Sequence, residues 1–210
     1  MDVCADEANM QRKQAKKKRL CWPALLIRIL SVPPVLAVIL MLSLWVGRRD
    51  YFRSGAELAA ALLCLAGLPL VAYPLSVWLP AARSRGREGQ RDLAFLLSAL
   101  GYGCCWAYGL LAASRPALLF IFATYVFSVL YLLLFNKLLK LRASGHACGI
   151  TGPMLVLCTL FGGWCYPLCL AGYGTIFWAS IKVGRHTVKE FLLGTLCCIL
   201  AAGSAWLLYL

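Results

Sequence analysis

Apolar residues in this chain come in long runs separated by short polar segments. Seven runs can be marked, near 29–46, 58–79, 93–112, 116–135, 148–162, 164–181 and 191–210. About 18 or more apolar residues in a row is the length a helix needs to cross a hydrocarbon layer of about 30 Å. A segment surrounded by lipid must satisfy its own backbone, so each run predicts an α-helix. The stretch 148–181 reads either as one long span or as two short ones hinged at Gly162-Gly163. Before the first deep run, Pro33-Pro34 marks a break, and 22–31, with Trp22 and Arg28, fits a helix lying in the membrane interface. The expected fold is an all-α integral membrane bundle of six to seven transmembrane helices. It divides into a basic arm and interfacial segment at 1–28 and one helical domain at 29–210.

The cations choose between the two span counts. With seven crossings, 17 of the 21 Lys and Arg residues fall on the side of the N-terminus, and only Arg48, Arg49, Arg53 and Arg115 fall on the other. With 148–181 as a single span the division weakens to 14 against 7. The positive-inside rule therefore favours seven crossings and a cytoplasmic N-terminus. The run Lys16, Lys17, Lys18, Arg19 precedes the first apolar stretch with no small-residue cleavage site after it, as in a retained signal anchor. Such an arm suits anionic lipid headgroups.

Composition agrees. With 62% apolar residues, 14% charged residues and a mean hydropathy of +0.78, a water-soluble domain is excluded. A net charge of +13 would raise nucleic acid as a partner in a soluble protein. Here the cations sit in short loops between apolar runs and form no aromatic-interleaved basic surface, so nucleic acid is set aside. Eleven cysteines include no C-x-x-C pair and fall mostly inside apolar runs, where cysteine behaves as a small hydrophobe. A metal site is not expected.

Three loops on the basic side carry candidate chemistry, because polar groups at the mouths of spans are costly unless used. Arg83, Arg85, Arg87 and Arg91 are spaced closely enough to clamp a phosphate. In Arg142-Ala143-Ser144-Gly145-His146-Ala147-Cys148-Gly149, Ser144 suits a helix N-cap and the glycines let backbone N–H groups approach an anion. His146 would stand there as a proton donor. In the loop Lys182 to Glu190, His186 and Glu190 are four residues apart and share a face if a helix begins by His186, so that Glu190 orients the imidazole. These are the chain's only two histidines.

Together these segments resemble the type 2 phosphatidic acid phosphatase superfamily of membrane lipid phosphatases, whose pattern is Lys-x6-Arg-Pro, then Pro-Ser-Gly-His, then Ser-Arg-x5-His-x3-Asp. Ala143-Ser144-Gly145-His146 resembles the second block without its proline, and His186-x3-Glu190 resembles the end of the third with glutamate for aspartate. His146-x2-Gly149, two short apolar helices and Arg185-His186-Thr187 look like a bacterial branch with short spans. The resemblance covers about residues 80 to 200. It implies that His186 attacks phosphorus to form a phosphohistidine, that Glu190 stabilises its charged form and that His146 is the general acid. It further implies that Ser144 and the Gly145 backbone hold phosphoryl oxygens and that Arg91 is the first-block arginine, with no metal or cofactor.

The chain departs from the pattern at Ala179 and Ser180, where Ser-Arg is expected, and at Ser84 and Asp92, where the first block has lysine and proline. Arg142, Lys182 and Arg185 are the cations near enough in sequence to take over. The expected activity is a phosphatase or phosphotransferase working on a polyprenyl or glycerolipid (di)phosphate. The alternative is a weak or inactive member that binds or moves phosphorylated lipids.

Overall fold

The computed structural model describes residues 22–184 and 186–210, with Arg28 as backbone only. The basic run at 16–19, Arg185 and the Arg28 side chain lie outside the described residues. Helices account for nearly all of the rest, and no strand occurs among the described residues. The longer ones are α1 (Trp22–Leu30), α2 (Pro33–Gly47), α3 (Gly55–Trp78), α4 (Gly86–Leu111), α5 (Pro116–Leu138), α6 (Gly145–Phe161), α7 (Tyr166–Lys182) and α8 (Val188–Tyr209), with single turns at Arg49–Tyr51, Pro80–Arg83 and Gly163–Cys165 between them. Four of them, α3, α4, α5 and α8, are long and apolar enough to cross a membrane. The helices α2 and α6 are shorter and apolar, and α7 has 17 residues. The hinge at Gly162-Gly163 is real: Gly162 ends α6 at φ +92°, a left-handed conformation that favours glycine.

One boundary differs from the hydropathy reading. The third apolar run begins near residue 93, whereas α4 already begins at Gly86, so Arg87 and Arg91 project from a helix and not from a flexible loop. The polar residues 86–92 form two turns with Arg85 ion-paired to Asp92 at 2.6 Å. Polarity there marks the part of a helix that faces water, which an apolar-run criterion removes.

From α2 to α8 successive helices run in alternate directions, and contacts at both ends fix this. At one end the Cβ position of Gly149 on α6 lies 2.6 Å from Pro33 at the start of α2, and the Ser144 N–H donates to the Glu190 carbonyl at 2.9 Å. At the other, Arg48 after α2 donates to the Leu160 carbonyl at 2.5 Å, and Trp106 Nε1 donates to the Tyr209 hydroxyl at 3.0 Å. The same end holds the buried Glu57, which accepts from the Arg53 N–H at 2.6 Å and the Ser114 hydroxyl at 2.5 Å. Two hydrogen bonds satisfy a carboxylate that would otherwise be costly to bury.

Of the four long helices α5 is the most enclosed, with 56% of its most apolar window inside the bundle, and it packs chiefly on α8. In turn α8 packs on α6, running parallel to it. The two parallel helices start side by side because Gly194 has no side chain. A Cβ there would overlap the Ser144 carbonyl oxygen and lie 3.0 Å from the Ala147 Cβ. Gly194→Ala is therefore expected to cost about 1–3 kcal/mol by overpacking. In detergent this should lower the Tm by roughly 2–10 °C, and an unchanged Tm would show that the two helix starts do not need this contact.

Candidate functional site

The α6 and α8 starts bring most of the sequence-selected residues together. Ser144 caps α6, its hydroxyl accepting from the Ala147 N–H at 3.2 Å. Gly145 then opens the helix, exposed, and His146 follows, partly buried with its Nε2 inside the protein. The segment leading in is held by Asn136, whose amide oxygen accepts from the Ala143 N–H at 2.8 Å while its nitrogen donates to the Ala143 carbonyl at 3.2 Å.

On the α8 side, Thr187 is the N-cap and Glu190 completes a capping box. The Glu190 N–H donates to the Thr187 hydroxyl at 3.2 Å, and the Thr187 N–H donates to Glu190 Oε2 at 3.0 Å. The helix thus begins at Val188, and His186 stands just before it. The expected contact with Glu190 still forms: His186 Nδ1 lies 3.9 Å from Glu190 Oε2, an ion-pair distance longer than a hydrogen bond. Arg142 approaches the other carboxylate oxygen, with Nε 3.6 Å from Oε1.

The two imidazoles meet face to face, ring centroids 6.3 Å apart and planes within 15° of parallel. Forty residues separate them in sequence, and no other histidine exists to make such a pair. Glu190 is 21% exposed and His186 22%, so the pair sits half-sheltered at the helix mouths. Arg142, at 84% exposed, covers the outer side. Lys182 is exposed at the last turn of α7. Arg91 is exposed on α4, whose main packing partners are α3 and α5, not the helices that carry the histidines. Arg185 lies outside the described residues.

The cations of the two ends are used differently. At the end away from the histidines, Arg48 stacks on Tyr51 at 4.3 Å besides its carbonyl contact, Arg49 lies 3.5 Å over Trp45, and Arg53 reaches the Ala112 carbonyl at 3.4 Å. These guanidinium groups bind the fold together. At the histidine end, Arg91 and Lys182 have no ion-pair or hydrogen-bond partner among the described residues, and Arg142 has only its long contact with Glu190. Of these, Arg142 is the cation tied to the imidazole pair, through Glu190, and its exposed guanidinium can serve an anion there. No cluster of His, Cys, Asp and Glu able to hold a metal occurs among the described residues.

Sequence reasoning passed over three residues that build this site. Thr187 was readable, since Thr187-x-x-Glu190 before an apolar run is a capping-box signature. Asn136 stands out as an amide at the end of an apolar run. Gly194 carries no local signal, because its role depends on which helix lies beside it.

Glu190 joins helix capping to histidine electrostatics, and one substitution separates the two. Glu190→Gln keeps an acceptor for the Thr187 N–H but removes the negative charge that favours protonated His186. The His186 titration midpoint should move to lower pH by about one unit, measured by side-chain NMR of the two imidazoles; no movement would mean that the 3.9 Å pair has no electrostatic weight. Beyond the molecule itself, no family model, curated protein or solved structure matches the chain.

Proposed function

We propose that this protein is a membrane lipid phosphatase or phosphotransferase acting on a polyprenyl or glycerolipid (di)phosphate through a phosphohistidine. The stacked pair of the chain's only two histidines, with Glu190 behind one and Arg142 at the rim, carries the reading. Both rings stand at the same pair of helix mouths, 6.3 Å between centroids, so a phosphoryl group at that mouth, reached through the in-plane nitrogens, is within range of the nucleophile and of the proton donor.

Chemistry then divides between the rings. His186 turns Nδ1 toward Glu190, so Nε2 is the attacking nitrogen. Its lone pair forms the N–P bond as the bond from phosphorus to the leaving oxygen breaks, and that oxygen takes a proton from His146. In the second half a water attacks phosphorus, gives its proton back to His146 and releases phosphate from His186. An acceptor alcohol in place of water makes the same cycle a phosphotransfer. Glu190 favours the positive charge on His186, while the Ser144 hydroxyl, the Gly145 N–H and the Arg142, Lys182, Arg185 and Arg91 cations are the groups for phosphoryl oxygens. Electrostatic stabilisation of this kind is commonly the largest single contribution to such a reaction.

Seven crossings complete the picture, with α2, α6 and α7 as short spans, the N-terminus cytoplasmic and the site on the cytoplasmic side, where the basic arm meets anionic headgroups. A second reading, a protein that binds or moves phosphorylated lipids without turning them over, draws support from the position of Arg91 away from the helices that carry the histidines and from Ser180 standing where the resemblance expects an arginine.

Purified protein in nanodiscs should release inorganic phosphate from polyprenyl diphosphate or phosphatidic acid. His146→Ala and His186→Ala should each lower that rate by about 10²–10⁴-fold, and only His186→Ala should abolish the acid-labile phosphoenzyme trapped with ³²P-labelled lipid. Activity indifferent to both substitutions refutes the reading. Saturable binding of these lipids without phosphate release identifies the second.

A further inference from the structure

Although α5 is largely enclosed, one stripe of it faces outward. Leu130, Leu133, Leu134 and Leu138 follow one another at helical spacing and are all exposed, so this stripe meets the acyl chains. With 23 residues at 1.5 Å each, α5 is about 34 Å long, a little more than a hydrocarbon layer of about 30 Å. Its last turn therefore emerges at the level of the headgroups. Lys137 and Leu138 belong to that turn, and Leu139 and Lys140 follow it. All four are exposed, Leu138 by 73% and Leu139 by 50%. Lysines interleaved with exposed leucines at this depth fit one environment, the leucines in the acyl boundary and the ammonium groups among headgroups.

The segment is held in a single shape. Asn136 closes it, accepting from the Ala143 N–H at 2.8 Å and donating to the Ala143 carbonyl at 3.2 Å. Inside that clasp the Leu139 N–H reaches the Leu134 carbonyl at 2.9 Å and the Leu141 N–H the Phe135 carbonyl at 2.8 Å. The chain reverses at Lys140, just past the end of the helix, with φ +54°. That position and that left-handed conformation are the ones where helices usually carry glycine. A lysine there is strained in a way glycine is not. Its side chain has no hydrogen-bond or ion-pair partner among the described residues to offset the strain. Strain kept at an exposed, uncommitted lysine points to a use for its charge.

We propose that residues 137–142 form a docking site for anionic phospholipid headgroups of the surrounding membrane, with Lys137 and Lys140 on the lipid phosphate and Leu138 and Leu139 in the acyl boundary. Charge complementarity selects this occupant: three cations fall within six residues, and the sequence holds no acidic residue between Asp92 and Glu190. The fixed loop presents the two ammonium groups without first having to be ordered, which favours binding. Arg142 ends the segment and turns toward Glu190 at 3.6 Å, so a docked headgroup lies beside the imidazole site and not in it. The site needs no turnover and does not rest on the lipid phosphatase reading.

Native mass spectrometry of the full chain in detergent, titrated with phosphatidylglycerol or with phosphatidylcholine, tests this. Lys137→Gln and Lys140→Gln should each weaken phosphatidylglycerol binding by about fivefold and leave phosphatidylcholine binding unchanged. Lys140→Gly removes the charge and the strain together. Phosphatidylglycerol binding should then weaken by the same factor while the Tm in phosphatidylcholine nanodiscs holds or rises. The same substitutions, repeated with Lys16, Lys17 and Lys18 all changed to Gln, should show the same losses. Phosphatidylglycerol binding indifferent to Lys137 and Lys140, or dependent on the N-terminal lysines alone, overturns the proposal. A Tm lowered by Lys140→Gly in neutral lipid also overturns it, because the lysine would then serve the fold. Phosphatidylglycerol carries no terminal phosphate, so failure here leaves the phosphate-release reading standing, and failure of that assay leaves this site standing.

Discussion

The close approach of two parallel helix starts is the constraint on which the site depends. Gly194 lets the first turn of α8 lie against the Ser144 carbonyl and Ala147. The Ser144 N–H then reaches the Glu190 carbonyl at 2.9 Å, tying the cap of one helix to the first turn of the other. His146 and His186 each stand at one of these starts, so their separation is set by backbone packing and does not rely on flexible loops. The other short distances follow from this one, including the capping box that aims Glu190 and the parallel register that sets Thr151 beside Thr195 at 3.4 Å.

Small residues recur where helices must come close. Gly149 admits Pro33 and so brings the turn before α2 under the start of α6. Gly101 on α4 has its Cβ position 3.4 Å from the Leu68 Cβ, so α3 and α4 touch nearly backbone to backbone. In lipid the apolar surface of a helix gains little by leaving its surroundings, so helix association relies on such close packing and on interhelical hydrogen bonds. The hydroxyl links Tyr131 to Ser204 and Tyr173 to Thr195, at 3.0 and 2.8 Å, belong to the same economy of contacts.

Much of the helical plan was legible from hydropathy alone, since every apolar run in the described chain became a helix and the Gly162-Gly163 hinge separated α6 from α7. The beginning of α4 was not, because Arg87 to Asp92 are helical yet polar. At the site, the cap at Ser144 and the His186–Glu190 pair could be read from spacing, since both are local interactions. The stacking of His146 on His186 and the burial of Ser180 depend on which helices are neighbours and at what register, and that information is distributed over Gly194, Gly149, Gly172 and the residues they meet. Ser180 is the clearest case: in sequence it reads only as a missing arginine, and the enclosure of its hydroxyl, without a hydrogen-bond partner among the described residues, is visible only in three dimensions.

The lengths of the helices have a mechanical consequence. With 15 residues in α2 and 17 each in α6 and α7, these three reach only about 22–26 Å at 1.5 Å per residue. They pack beside one another, α2 on α6 and α6 on α7, so the short elements form one flank while the longer α3, α4, α5 and α8 form the rest. Under the seven-crossing arrangement proposed above, a bilayer about 30 Å thick would have to thin along this flank, or the flank tilt, at a cost of fractions of a kcal/mol per Å of mismatch. Such thinning would draw lipid headgroups inward along the side that carries His146. The bundle's uneven height would then act on its surroundings as a local dimple, biasing the protein toward the thinner regions of its membrane.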